Sequence, residues 1–181
     1  MKNAFTKLAN ACASFRKDET GTGTLDFMMV LPAAMFFAAT SYESGTYGLR
    51  NVMLERAVDV TVRQVRIGAI PDPTHAQLKE RICEEAAIIP ECMANVKLEM
   101  IRKDPRSWTD VSEEVDCVDR SSTAEPVVNW TPGGSNDLMI VRVCALLDPV
   151  LPTSTIGMAM AEYEDGAHAL VSTSSFVVEP F

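Results

Sequence analysis

Leu25 to Thr40 reads LDFMMVLPAAMFFAAT, sixteen residues whose one charge, Asp26, sits at the edge. As a helix they span about 24 Å, short of the roughly 30 Å hydrocarbon core of a bilayer. Continuing through SYESGTYG closes the gap, because Thr24 to Tyr47 is about 36 Å long. Tyr42 and Tyr47 suit an interfacial belt. Pro32, eight residues in, removes one helical donor and predicts a bend. Such a bend is tolerated where neighbouring groups satisfy the freed carbonyl. Gly45 and Gly48 predict a looser helix just outside the apolar run. Two other readings fit the run itself: a secretory signal with Ala38 and Thr40 before the cut, and a core helix of a soluble protein. The long charged stretch before the run includes Asp18 and Glu19, and a helical pattern continues after it. Both features favour a membrane helix.

Charge gives the orientation. The chain has 181 residues and a formal net charge of -9. Residues 1–24 hold Lys2, Lys7, Arg16 and Lys17 against Asp18 and Glu19, a net of +2, which leaves -11 for the rest. A basic end before an apolar run stays in the cytoplasm, so the acidic body after about Tyr47 is the translocated part. The acidic balance excludes nucleic acid as a partner. Histidine occurs only as His75 and His168, which argues against a histidine-based metal or catalytic centre. There is no nucleotide loop, zinc helix, nucleophile elbow or dinucleotide fingerprint. Ser172, Ser174 and Ser175 with His168 read as a polar strand face rather than as nucleophile and base. No catalytic, cofactor-binding or metal residue is expected.

The body reads as α+β. From Asn51 to Ile67, Leu54, Val58, Val62 and Val65 line one helical face, which predicts an amphipathic stem continuing the membrane helix. Gly68 and Pro71-Asp72-Pro73 end it. Thr74 to Ile88 predicts a second helix, with Thr74 and Gln77 as a capping box and Leu78, Ile82 and Ala86 inward. Glu80, Arg81, Glu84 and Glu85 face water. Three strands follow at Asn95–Ile101, Asp137–Leu147 and Ala167–Val178. In the second, Met139, Val141, Val143, Ala145 and Leu147 share one face, and Leu138, Ile140, Arg142 and Cys144 share the other. Antiparallel pairing around the stem buries one sheet face. Residues 103–136 read mostly as loop, with a turn at Trp130–Ser135.

Cys12 precedes the apolar run, and Cys83, Cys92, Cys117 and Cys144 follow it. Four translocated cysteines allow three complete pairings. Cys83 with Cys92 closes a short local loop, which leaves Cys117 with Cys144, and an oxidising periplasm permits both. Four free buried thiols are the other reading. Metal ligation is disfavoured because no Cys-x-x-Cys occurs.

The stretch RKDETGTGTLDFMMVLP (Arg16–Pro32) resembles the TadE-like family of pseudopilins, from the tight-adherence branch of the type IV pilus machinery. The shared pattern is a charged cluster, a Gly, four small or apolar residues, an acid, Phe, and an apolar run containing Leu-Pro. SFVVEPF (Ser175–Phe181) is similar to the family's terminal Phe-x-x-Glu-Pro-aromatic, and the Pro-Gly-Gly turn at 132–134 also fits. The middle of the chain matches loosely. The resemblance implies cleavage by a prepilin-type peptidase after Gly21, which makes Thr22 the first mature residue. Asp26 then stands fifth, where pilins place a Glu. Cutting after Gly23 would put Asp26 third, so spacing favours Gly21. Glu43 falls at a second acidic position of the family.

A carboxylate at the bilayer edge is costly unless paired, and a new α-amine supplies the counter-charge. The bland reading of Asp26 is a residue favoured by the dipole at a helix start. The implied division is a cytoplasmic leader at 1–21, a transmembrane helix at 22–47 and a periplasmic or extracellular α+β domain at 48–181. The implied role is a minor pseudopilin of the bacterial inner membrane that enters a surface pilus. Its partners would be the peptidase, other pilus subunits, the inner-membrane assembly platform and membrane lipid. The alternative is a membrane-anchored envelope binding or scaffold protein that enters no filament.

Overall fold

The structure is a computed structural model. It describes residues 12–17, 22–107, 109–112, 115–120, 129–161, 163 and 165–180. Helix α1 runs unbroken from Thr22 to Arg66, through Pro32. The chain divides into two compact units, Met1–Ser41 and Tyr42–Phe181. In the first unit α1 is exposed along its apolar run, with Phe27, Met28, Met29 and Phe37 all uncovered. This helix is long and apolar enough to cross a membrane.

One expectation is corrected here. Gly45 and Gly48 do not loosen the helix, because both lie within the continuous span of α1. A helix interior tolerates glycine at a cost of only about 1 kcal/mol. The second compact unit begins at Tyr42. Tyr47 packs against its core.

In the second unit Leu54, Val58, Val62 and Val65 are buried, joined by Ala57 and Thr61. Spacings of three and four place them on one stripe. The helix ends at Arg66, and Gly68 in the turn that follows has a φ of 71°, which suits a residue without a Cβ. The amide of Ala69 returns to the Gln64 carbonyl at 2.9 Å, satisfying an end group of the helix. Helix α2, His75–Glu85, carries the Thr74–Gln77 capping box and buries Leu78 and Ile82. A short helix α3, Cys92–Asn95, leads into the sheet.

Strands β1 (Val96–Lys103), β2 (Leu138–Leu147) and β3 (His168–Val177) form an antiparallel sheet in chain order. Helix α4, Thr155–Met160, lies between β2 and β3 and is capped by the Ser154 hydroxyl. Val96, Leu98 and Met100 of β1 join Met139, Val141, Val143, Ala145 and Leu147 of β2 in the core with α1 and α2. At the turn before β2, a Cβ on Gly133 would come within 2.5 Å of the Met139 sulfur, so the backbone passes too close for a side chain.

The expectation that only one sheet face is buried is also corrected. Ile140, Arg142, Cys144 and Leu146, on the other face of β2, are buried too. The described part of 104–120 makes contacts to that face. Arg142 donates to the Ser112 carbonyl at 2.5 Å, Lys97 pairs with Asp116 at 2.5 Å, and Cys117 bonds to Cys144. Residues 129–131 also hydrogen-bond both ways with Met100, forming a parallel bridge that the reading of this stretch as a turn omits.

Candidate functional site at Glu43 and His168

Glu43, Tyr47, Arg50 and Leu54 recur at helical spacings of four, three and four, so the buried stripe of α1 begins with a carboxylate. Glu43 is 2% exposed. Its Oε1 accepts the Val150 amide at 2.9 Å and its Oε2 accepts the Leu151 amide at 2.8 Å. The connection from β2 to α4 has Pro149 and Pro152 and cannot pair its amides as a strand would. A carboxylate with two oxygens suits two successive N–H donors, and such charge-assisted bonds are the stronger kind.

The same connection is held from two further sides. Arg50 Nη1 donates to the Asp148 carbonyl at 3.2 Å. Arg120 donates through Nη1 to Asp148 Oδ1 at 2.7 Å and to Asp165 Oδ2 at 3.2 Å. Its Nη2 reaches the Leu146 carbonyl at 3.0 Å and its Nε reaches Asn95 Oδ1 at 3.2 Å. Burial disfavours the Arg120 cation, but Asp148 and then Asp165 outweigh it and hold the guanidinium pKa above its usual value.

His168 opens β3 opposite Leu147. It is 4% exposed, and its ring lies 5.3 Å from that of Tyr47 at an angle of 49°. Neither ring nitrogen has a hydrogen-bond partner among the described residues. Burial first, and then the Arg50 charge, push the imidazole pKa below the usual histidine value, while Glu43 and Asp148 pull the other way. His168 is therefore not part of a solvated strand face. Ser172 is buried on the same side of β3, four residues along.

The residues singled out from the sequence fall in different places. Gly21 lies outside the described residues. Thr22 is the first residue of α1, and Asp26 is exposed on α1 four residues later. Glu43 is in the network above. Cys83 is bonded to Cys92 with Cα atoms 5.6 Å apart, and Cys117 to Cys144 with Cα atoms 5.3 Å apart. Cys12 is free and exposed. Among the described residues no cluster of His, Cys, Asp and Glu is arranged to hold a metal. Sequence reasoning did not find Arg50, Arg120 and Asp148. Extending the Leu54–Val65 stripe back by two turns would have flagged Glu43 and Arg50 on the buried face.

Non-reducing peptide mapping of freshly isolated protein is expected to recover the 83–92 and 117–144 crosslinks. The second closes a 27-residue separation. Replacing Cys117 and Cys144 together by Ser is expected to cost about 3 kcal/mol. Four alkylatable thiols in the isolated protein would reject both pairings.

The described residues define an α+β body that carries a helix capable of crossing a membrane. No family model matches the chain, and neither a curated protein nor a solved structure matches it.

Proposed function

We propose that the chain is a minor pseudopilin of the TadE-like kind, a pilus-assembly subunit of a tight-adherence type IV pilus that contributes to surface attachment. The observation that carries this reading is α1: one helix is apolar and uncovered in its first part and forms the core of an antiparallel α+β body in its second. A subunit of this design resides in the bilayer before assembly and packs the same helix against its neighbours afterwards. The resemblance at Arg16–Pro32 and Ser175–Phe181 supplies the particular family.

In this reading Lys2, Lys7, Arg16 and Lys17 lie in the cytoplasm of a bacterial inner membrane and the body lies in the periplasm. A prepilin-type peptidase cuts between Gly21 and Thr22 and frees a cationic amine. Asp26, four residues on, has no ion-pair partner among the described residues. An unpaired carboxylate in hydrocarbon is costly, and the amine of a neighbouring subunit removes that cost on assembly. Glu43 has a separate task, because both its oxygens are already occupied by backbone amides of the body. The partners are the peptidase, other pilus subunits, the assembly platform and membrane lipid.

The test compares leader state and recovery in sheared fibres at matched protein levels. Gly21→Leu is expected to keep its leader. Asp26→Ala is expected to be processed yet recovered on the order of tenfold less in fibres, the factor given by a loss of about 1.4 kcal/mol. Asp26→Glu is expected to behave as wild type. Normal fibre recovery of Asp26→Ala would remove the pairing role, and normal processing of Gly21→Leu would remove the cut site. An uncleaved chain found only in membranes would instead support an anchored envelope binding or scaffold protein.

A further inference from the structure

We infer that His168 is a proton-operated latch: protonation of its imidazole releases the Asp148–Ser154 connection from Glu43 and Arg50. This holds whether or not the chain enters a filament.

The groups acting on His168 come from each element packed around it. Helix α1 presents Glu43, Tyr47 and Arg50, and the connection presents Asp148. Arg120 and Asp165 belong to the same network through Asp148. The charged groups around the ring are bonded to partners other than His168. Glu43 gives both oxygens to Val150 and Leu151, Arg50 holds the Asp148 carbonyl, and Arg120 holds the Asp148 carboxylate.

A neutral imidazole fits that arrangement as an aromatic ring against Tyr47. An imidazolium does not, because it brings two N–H donors and a charge into a buried site beside Arg50. Two responses are available. Glu43 can turn toward the new cation, which strips the acceptors from Val150 and Leu151. Alternatively, the connection can move aside and admit water to the ring. Both open the same short segment while the paired strands remain closed. The sheet register does not depend on Glu43, whereas the proline-bounded connection does.

The direction with pH follows from linkage. Closure holds the His168 pKa below the ordinary histidine value of about 6.5, so the open state binds the proton more tightly. The closed latch is at full strength above that ordinary value. It weakens as pH falls below it, and the opening constant rises by up to about tenfold per pH unit until the lowered, closed-state pKa is reached.

The test is amide hydrogen exchange on the full-length protein in detergent micelles, from pH 7.5 to 5.5, with rates corrected for the intrinsic pH dependence. This window lies above the range in which ordinary carboxylates titrate. Corrected exchange at Val150 and Leu151 is expected to rise between pH 7 and pH 5.5, by up to about tenfold. Exchange at Met139–Val143 in β2 is expected to stay constant. His168→Gln abolishes the slope, and His75→Gln, which removes the other histidine, leaves it intact. If His168→Gln does not fold, Arg50→Gln decides. Removing the opposing cation brings the closed-state pKa back toward the ordinary value, so the rise should be smaller and level off at a higher pH. A flat wild-type profile, an unchanged slope in His168→Gln, or an undiminished rise in Arg50→Gln would overturn the latch.

Discussion

Arg142→Met is expected to lower the unfolding free energy by about 3–5 kcal/mol, and adding Glu99→Leu to it is expected to restore most of that loss. Glu99 and Arg142 are directly opposite in the antiparallel register of β1 and β2. Their side chains form an ion pair and each is 8% exposed. Removing only the guanidinium leaves a carboxylate buried without its counter-charge, which is the expensive case. Replacing both leaves two apolar side chains in a cross-strand pair, a favourable arrangement for a covered face. Recovery should fall short of complete, because the Ser112 carbonyl also loses its Arg142 donor. Denaturant unfolding of the full chain in mild detergent, followed by tryptophan fluorescence, measures both steps. A single variant as stable as wild type would show that the pair is well solvated. A double variant as unstable as the single would show that shape rather than charge decides this face.

Glu43→Ala is expected to cost about 3–6 kcal/mol, from two hydrogen bonds to a charged acceptor at roughly 1.5–3 kcal/mol each. Glu43→Gln keeps one oxygen acceptor and is expected to lose about half as much. Asp26 provides the contrast. It is exposed on α1, so Asp26→Ala is expected to change body stability by less than about 0.5 kcal/mol. The same unfolding experiment separates the two acids that the family resemblance groups together. Equal effects at Glu43 and Asp26 would mean that the Glu43 clamp contributes nothing to the body. A large effect at Glu43 alone assigns that acid to the fold and leaves Asp26 available for assembly.

Much of the α+β body was legible in the sequence, for identifiable reasons. The stripe Leu54–Val58–Val62–Val65 has helical period and is buried. The Thr74–Gln77 box is a local signal and closes as read, because both its bonds lie within four residues. The alternation in Asp137–Leu147 marks a strand, and β2 falls within one residue of it. Local geometry encodes such features whatever surrounds them. The second face of the sheet was not legible. Lys97, Glu99 and Arg142 are charged, and a reading by period assigns charges to water. Their burial depends on the described part of 104–120, which has no periodic pattern of its own.

The candidate site divides the same way. Glu43 was singled out by resemblance alone, with no partner assigned. Its partners Val150 and Leu151 lie 107 and 108 residues along the chain and contribute only backbone amides, which carry no side-chain signature. His168 read as part of a polar strand face because the same strand carries Ser and Thr from Ser172 onward. It is buried, with its ring against Tyr47 on a distant helix. The sequence by itself determined the apolar helix, its charge asymmetry, the helical and strand periods and the caps, since each depends on residues close in the chain. Only the tertiary structure decided which charges are buried and what each is paired with. Those outcomes depend on backbone groups and loops brought together from far apart, and hydrophobic period carries no information about them.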